Sequence, residues 1–318
     1  MEYLYLNLFP KVFKKIIPKE DMEITFLGTS QAIPTESRNH TAILLRYEDE
    51  MILFDCGEGT QRQFRKAHIN PCKLTRILIT HWHGDHILGL PGLIQTLALN
   101  NYNQTLHIYC PKGTSHYLDE LLRIFAFVGK IKIEKHEINE EVFFESKKFQ
   151  LEAYKMKHSV HSLAYVFKEK DKRRIDVDKL KKFKIPNGPL IGELQKGKDI
   201  NLNGKKIRAD EITYEEKGKR IAVIMDTALI DECYEAAKDS DLLICESTYL
   251  SQDEDRANEY LHLTAEQAAQ IAKKSGSKKL FLTHISQRYE HAPQLLLKEA
   301  KKIFKNTELA EDLMKIDV

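Results

Sequence analysis

The stretch ILITHWHGDHILG, residues 77–89, places His81, His83, Asp85 and His86 within six positions directly behind an aliphatic run. Ile77, Leu78 and Ile79 have the apolar, β-branched character of a buried strand, and Gly84 and Gly89 mark a sharp turning of the backbone after it. Four lone-pair donors at this spacing cannot all face one way from a strand or a helix, so they need a tight loop folded around a centre. Imidazole nitrogens suit zinc and other first-row metals, and the neighbouring carboxylate adds a harder oxygen ligand and a potential base. The spacing is that of metal ligands.

Composition bounds what surrounds this loop. With 318 residues the chain has material for one large core or two modest ones. Its five cysteines, Cys56, Cys72, Cys110, Cys233 and Cys245, are scattered and form no CxxC pair. That usage argues for reduced thiols in a cytoplasmic protein and against a disulfide framework. The apolar run from Tyr3 to Phe9 is followed by Lys11, Lys14 and Lys15 where a signal peptide would end in small residues, so neither a signal peptide nor a membrane span is expected. Residues 1–21 read as an N-terminal extension, and Met22 opens the domain that runs to residue 318.

The net charge of +2 conceals a basic segment: Lys168 to Arg220 holds 17 Lys or Arg against 10 Asp or Glu, which leaves the rest of the chain at −5. A basic, glycine-containing insertion in a nearly neutral protein suits a polyanion, although a solvated charged loop would have the same composition.

Around this insertion, short apolar strands alternate with helical patterns. Strands are expected at Glu23–Leu27, Ala42–Tyr47, Met51–Phe54, Arg76–Thr80, Leu106–Tyr109, Phe149–Lys155, Ala164–Phe167, Arg220–Met225, Leu242–Cys245 and Lys279–Thr283. Helices are expected at Thr60–His68, Gly92–Leu99, Thr114–Phe125, Asp231–Lys238, Thr264–Lys274 and Pro293–Phe304. The class is mixed α and β, with sheets covered by helices. No internal repeat or low-complexity tract stands out.

Several later strands also end on ligand-type residues: AVIM leads to Asp226, LFLT to His284, and the strand ending at Lys155 leads to His158. A lone histidine or aspartate at a strand end is usually a turn-former, but strand ends on one edge of a sheet converge, and loops there carry chemistry. With His81, His83, Asp85 and His86 the candidates number seven, too many for one tetrahedral ion. Two ions use them all: one on His81, His83 and His158, the other on Asp85, His86 and His284, with Asp226 between them. Metals roughly 3.5–4 Å apart are suited to phosphate-ester hydrolysis, because both the attacking and the departing oxygen are stabilised.

HWHGDH together with these downstream residues resembles the metallo-β-lactamase superfamily. LGTSQAIPTESRN, FDCGEGTQRQ, MDTA, LTHISQRY and NGPLIGELQKGKDI narrow the resemblance, over about Met22 to Tyr289, to the ribonuclease Z family of tRNA 3′-processing endonucleases. That resemblance implies a four-layer αβ/βα sandwich with a protruding arm at about 168–220, two zinc ions per subunit with manganese as an alternative, and a homodimer. It implies a zinc-dependent endonuclease that removes the 3′ trailer of precursor tRNA and leaves a 3′-hydroxyl. Asp85 then orients or deprotonates the attacking water as well as ligating. His262 matches the family's catalytic histidine and Glu246 its partner carboxylate; from sequence alone His262 would be a histidine flanking the Thr264 helix. The family's spacing to Tyr165 selects His158 over His161 as ligand, and Gly188 and Pro189 fall at the arm tip that contacts RNA.

Asp55 is read as a hydrogen-bonding support for a histidine rather than a ligand. His40, His68, His107, His116, His136 and His291 match no motif and are read as ordinary polar residues. One departure stands out: PTESRN, Pro34 to Asn39, has Glu36 where the family's loop has lysine. In the family this loop influences how the CCA end is handled, while Arg38 remains for a phosphate. Two other classes compete, a hydrolase of small esters or phosphodiesters and a non-catalytic RNA-binding relative. The basic insertion argues against the first and the full ligand set against the second.

Overall fold

The computed structural model describes residues 22–124 and 131–318. The extension at 1–21, and Phe125 at the end of one expected helix, lie outside the described residues.

In chain order, β1 (Glu23–Gly28), β2 (Ala42–Tyr47), β3 (Glu50–Phe54), β4 (Arg76–Leu78), β5 (Thr105–Pro111) and β6 (Lys132–Ile138) build a first sheet. The chain then forms β7 (Glu141–Glu145), β8 (Phe149–Met156) and β9 (Ser162–Glu169) of a second sheet and leaves it for an insertion. The insertion contains β10 (Lys172–Ile175), β11 (Ile200–Leu202), β12 (Lys205–Ile207) and β13 (Thr213–Glu216). β14 (Arg220–Ile224), β15 (Leu242–Glu246), β16 (Leu280–Thr283) and β17 (Thr307–Leu309) complete the second sheet, and β18 (Lys315–Asp317) returns to pair with β1. The orders are β18-β1-β2-β3-β4-β5-β6 and β17-β16-β15-β14-β9-β8-β7. Each sheet has three antiparallel and three parallel pairings, the antiparallel ones beginning at β18 in the first and at β7 in the second.

Alternation along the strands sorts side chains into layers. Phe26, Phe54, Leu78, Phe149, Tyr165, Phe167, Ile244 and Phe281 fill the space between the sheets. Leu27, Leu53 and Ile77 face outward and are covered by helices that include Thr60–Lys66 and Leu90–Leu99. Ala222, Leu243 and Cys245 lie on the opposite outer face, under Asp231–Ala237, Ala265–Lys274 and Gln294–Lys301. Helix, sheet, sheet and helix are the four expected layers.

The insertion departs where the sequence pattern breaks. Lys168 on β9 is paired with Arg220 on β14, and between them β10 pairs with β13. Ile185, Leu194, Ile200, Ile207, Ala209 and Ile212 give this unit a small core of its own. Among the described residues no helix is long and apolar enough to cross a membrane.

Some expected bounds differ. The strand through the decisive motif ends at Leu78, and Thr80 and His81 continue as non-strand chain toward the loop. β6, β7, β17 and β18 lie outside the expected strands; β6, KIEKHEI, carries charges on solvated positions of an edge, which hides its apolar face.

Candidate metal centre

In the region where β3, β4 and β5 run parallel, and likewise β14, β15 and β16, the chain leaves each strand at its carboxyl end, the usual place for ligands in such sheets. Asp55 follows β3, His81 follows β4, Asp226 follows β14 and His284 follows β16. His83 caps a one-turn helix, Gly84–Ile87, that presents Asp85 and His86. Glycine makes this packing possible: a Cβ on Gly57 would lie 2.3 Å from the Asp85 carbonyl oxygen, and one on Gly89 2.1 Å from that of Gly57. Asp55, His284, Leu261 and Ala32 all have left-handed φ values between 37° and 59° at this one locus, a concentration of backbone strain typical of functional sites.

The side chains form two groups. His81 Nε2 and His158 Nε2 lie 3.0 and 3.2 Å from His83 Nδ1. In the other group Asp85 Oδ2 lies 3.3 Å from His86 Nε2 and 3.4 Å from His284 Nε2. Asp226 stands between them: its Oδ2 is 3.6 Å from His81 Nε2 and 3.7 Å from His158 Nε2, and its Oδ1 is 3.4 Å from His86 Nε2 and 3.1 Å from His284 Nε2. All seven sequence candidates are therefore together, His81, His83 and His158 on one side of Asp226 and Asp85, His86 and His284 on the other. His161 is in neither group.

The far ring nitrogens fix which atoms face inward. His158 Nδ1 donates to the Leu261 carbonyl at 3.0 Å, and His86 Nδ1 donates to Asp55 at 2.7 Å. The Thr80 hydroxyl donates to Asp55 at 2.8 Å, so its oxygen accepts from His81 Nδ1 at 3.0 Å. Thr248 repeats this device, donating to Glu246 at 2.6 Å and accepting from His284 Nδ1 at 3.1 Å. In their neutral forms these four rings turn bare lone pairs inward.

Lone pairs at such separations repel unless a cation lies among them. His86 Nε2, His284 Nε2 and Asp226 Oδ1 are buried without any hydrogen-bond partner. An orphan of this kind is costly unless something absent satisfies it. Burial and repulsion from the surrounding imidazoles push the His81 pKa well down, and burial lowers that of His158, which favours the neutral, ligating form; at His86 burial acts the same way, but Asp85, Asp226 and Asp55 outweigh it and raise the pKa well above its ordinary value. Burial opposes ionisation of Asp226, but His284, His86 and His81 outweigh it and hold the carboxyl well below its ordinary range. Nitrogen and carboxylate donors of this kind suit zinc-class ions.

His262 and Glu246 adjoin this centre. His262 Nδ1 lies 3.2 and 3.1 Å from the two Glu246 oxygens, and 3.9 Å from Asp226 Oδ2. Burial depresses the His262 pKa, but Glu246 and Asp226 prevail and raise it to about 9. The chain enters the following helix through a Thr264–Gln267 capping box, which fixes the approach of His262.

Arg38 lies under the loop that leads to the centre. It is buried, its guanidinium donating to Thr29 Oγ1 at 2.6 Å and the Ala310 carbonyl at 2.7 Å. Both bonds come from Nη1 and brace the loop from beneath. Glu36 is exposed on that loop, where Pro34, Arg38, Asn39 and Arg62 line a cavity of about 560 Å³. The same loop reaches the centre through the Ala32 N–H, which donates to Asp85 Oδ2 at 2.9 Å. Gly188 caps helix Pro189–Gln195 in the insertion, with open space around it.

Sequence reading missed Thr80, Thr248, the Ala32 amide and the Leu261 carbonyl.

Facing sheets with two ligand groups at their carboxyl ends define a metal-dependent hydrolase of the metallo-β-lactamase superfamily. Residues 211–285 match the beta-lactamase superfamily domain, and residues 22–175 match the family described as anti-Pycsar protein Apyc1. The fold matches the metallo-beta-lactamase fold protein YhfI of Bacillus subtilis with TM-score 0.69 at 18% identity, over 94% of this chain and 100% of that one. Ribonuclease Z of Methanothermobacter thermautotrophicus is 39% identical over 93% of this chain and 97% of its own length, and that of Pyrococcus horikoshii 43% identical over 84% and 87%. The crystal structure of human tRNase Z, short form, superposes with TM-score 0.68 at 28% identity, over 93% of this chain and 98% of that one. The chain belongs to the ribonuclease Z family, and is a metal-dependent endoribonuclease of the metallo-β-lactamase fold.

Proposed function

We propose that the protein binds two zinc ions and cleaves precursor tRNA at the 3′ side of the tRNA body, releasing the trailer and leaving a 3′-hydroxyl. The observation that carries this reading is the Asp226 carboxylate, one oxygen turned to the histidines of each group. Two cations bound there supply the charge that lowers the pKa of an attacking water and stabilises the oxygens on both sides of the phosphorus. Asp85, besides ligating, orients that water and accepts its proton, held in place by the Ala32 amide.

His262, with Nδ1 tied to Glu246, is placed to donate a proton from Nε2 to the departing ribose oxygen. Glu246 keeps that imidazole charged and oriented. The insertion, with Gly188 and Pro189 at its exposed turn, grips the RNA away from the centre by charge. Five unpaired cysteines suit the reducing cytoplasm, and family likeness supports a homodimer.

The test is incubation of the zinc-loaded full chain with a 3′-extended precursor tRNA. Trailer release with a 3′-hydroxyl on the tRNA is expected. An untouched trailer, with turnover of a small phosphodiester or a lactone, would overturn the tRNA reading.

A further inference from the structure

A second cluster of ligand-type side chains lies on the outer edge of the first sheet. β5 and β6 pair there in parallel, with His107 opposite Glu134 and Tyr109 opposite His136. Glu134 and His136 are two apart on one strand and project to the same side, and His107, level with Glu134, joins them. His107 Nδ1 lies 3.0 Å from His136 Nε2 and 3.5 Å from Glu134 Oε2. The ligating atoms of all three fall within 4.8 Å of one another.

The two imidazoles lie at hydrogen-bond distance and the His107–Glu134 pair at 3.5 Å, each within a few tenths of an ångström of what a small ion imposes. Tetrahedral bonds of about 2.0–2.1 Å to nitrogen and oxygen set neighbouring ligand atoms roughly 3.3–3.4 Å apart. The rings are already positioned: His136 stacks on Tyr109 with centroids 4.5 Å apart and planes at 18°. Burial and the neighbouring His107 lower the His136 pKa, which favours the neutral form. Glu134 engages Lys132 through Oε1, leaving Oε2 toward His107. Arg76, opposite His107 on β4, is committed to Glu50 and lies over the Phe144 ring at 4.1 Å. All three ligand candidates are partly exposed, so an ion can reach them.

We propose that His107, Glu134 and His136 form a third divalent-metal site, of zinc class, separate from the centre around Asp226. It shares no residue with that centre and joins the edge strand β6 to β5, with a coordination position left for water.

Equilibrium dialysis of chelator-stripped full chain against buffered micromolar zinc tests it. The unsubstituted protein should hold about one equivalent more than a His107→Asn/His136→Gln variant, whose turnover of a small phosphodiester should be unchanged. Glu134→Gln, isosteric and half-exposed, should give the same deficit if the double variant folds poorly. A His83→Ala protein should lose metal from the main centre and keep the equivalent that these substitutions remove. Equal zinc content with and without the cluster overturns the proposal. A low total that still differs by about one equivalent would support the third site and count instead against the two-metal reading of the main centre.

Discussion

Two buried carboxylates organise the main centre, each through one direct and one hydroxyl-relayed contact. Asp55 holds His86 directly and His81 through Thr80, and Glu246 holds His262 directly and His284 through Thr248. Thr248→Val removes the relay with little change in volume and strands both a carboxylate oxygen and an imidazole N–H in the interior. Supporting contacts of this kind are worth about 10–100-fold in metal affinity. A competition titration with a chromophoric chelator should therefore find one of the two ions of the main centre weakened by about that factor; unchanged affinity for both would remove Thr248 from the centre. The seven metal-ligand candidates were legible because histidine and aspartate at strand ends are few. The threonines were not, since hydroxyls are common and only χ1 decides whether one bridges a carboxylate to a ring. Arg38 was legible as a cation of that loop, but its bonds to Thr29 and Ala310 were not.

At the level of elements, strands with an apolar side on each layer declared themselves, as β9 does with Tyr165 inward and Val166 outward. β6, β17 and β18 did not, because short or solvated edge strands carry too few apolar positions to show a period. The basic insertion was legible as a departure from the pattern, but not as the folded unit with its own core that Ile200, Ile207 and Ile212 reveal. That separate core makes the unit removable. Ile175 on β10 faces Thr213 on β13, so replacing residues 176–212 by an Asn-Gly turn closes a hairpin in the observed register. The shortened protein should hydrolyse a small phosphodiester at nearly the original rate and bind precursor tRNA more weakly. Its affinity should also depend less on salt, the slope of log K against log salt falling by about 0.7–0.9 for each phosphate that the insertion had neutralised. The same affinity and the same slope would mean that the insertion does not grip RNA.

For the molecule as a whole, the centre exists only where the two sheets meet. His81, His83, Asp85 and His86 come from the chain that builds the first sheet, and His158, Asp226 and His284 follow strands of the second sheet. The aromatic layer between the sheets sets their spacing, and Tyr165 crosses it to donate to the Ile79 carbonyl at 2.7 Å, two residues before the first ligand. Separation of the sheets would therefore break both ligand groups at once, since the unfolded chain cannot present the same set. Ions at this junction must then stabilise the whole fold and not the loops alone. A site held at 100 times its dissociation constant contributes about 2.7 kcal/mol, provided the unfolded chain does not compete for the ion. Stripping the metals should accordingly lower Tm in a single cooperative step, by about 2–4 °C for each kcal/mol lost in a domain of 150–250 residues and less in a larger one. Zinc should restore it in proportion to the logarithm of its free concentration. Calorimetry of stripped and reloaded protein decides the matter: a Tm indifferent to chelator and zinc would mean that the two halves hold together, and hold the site open, without the ions.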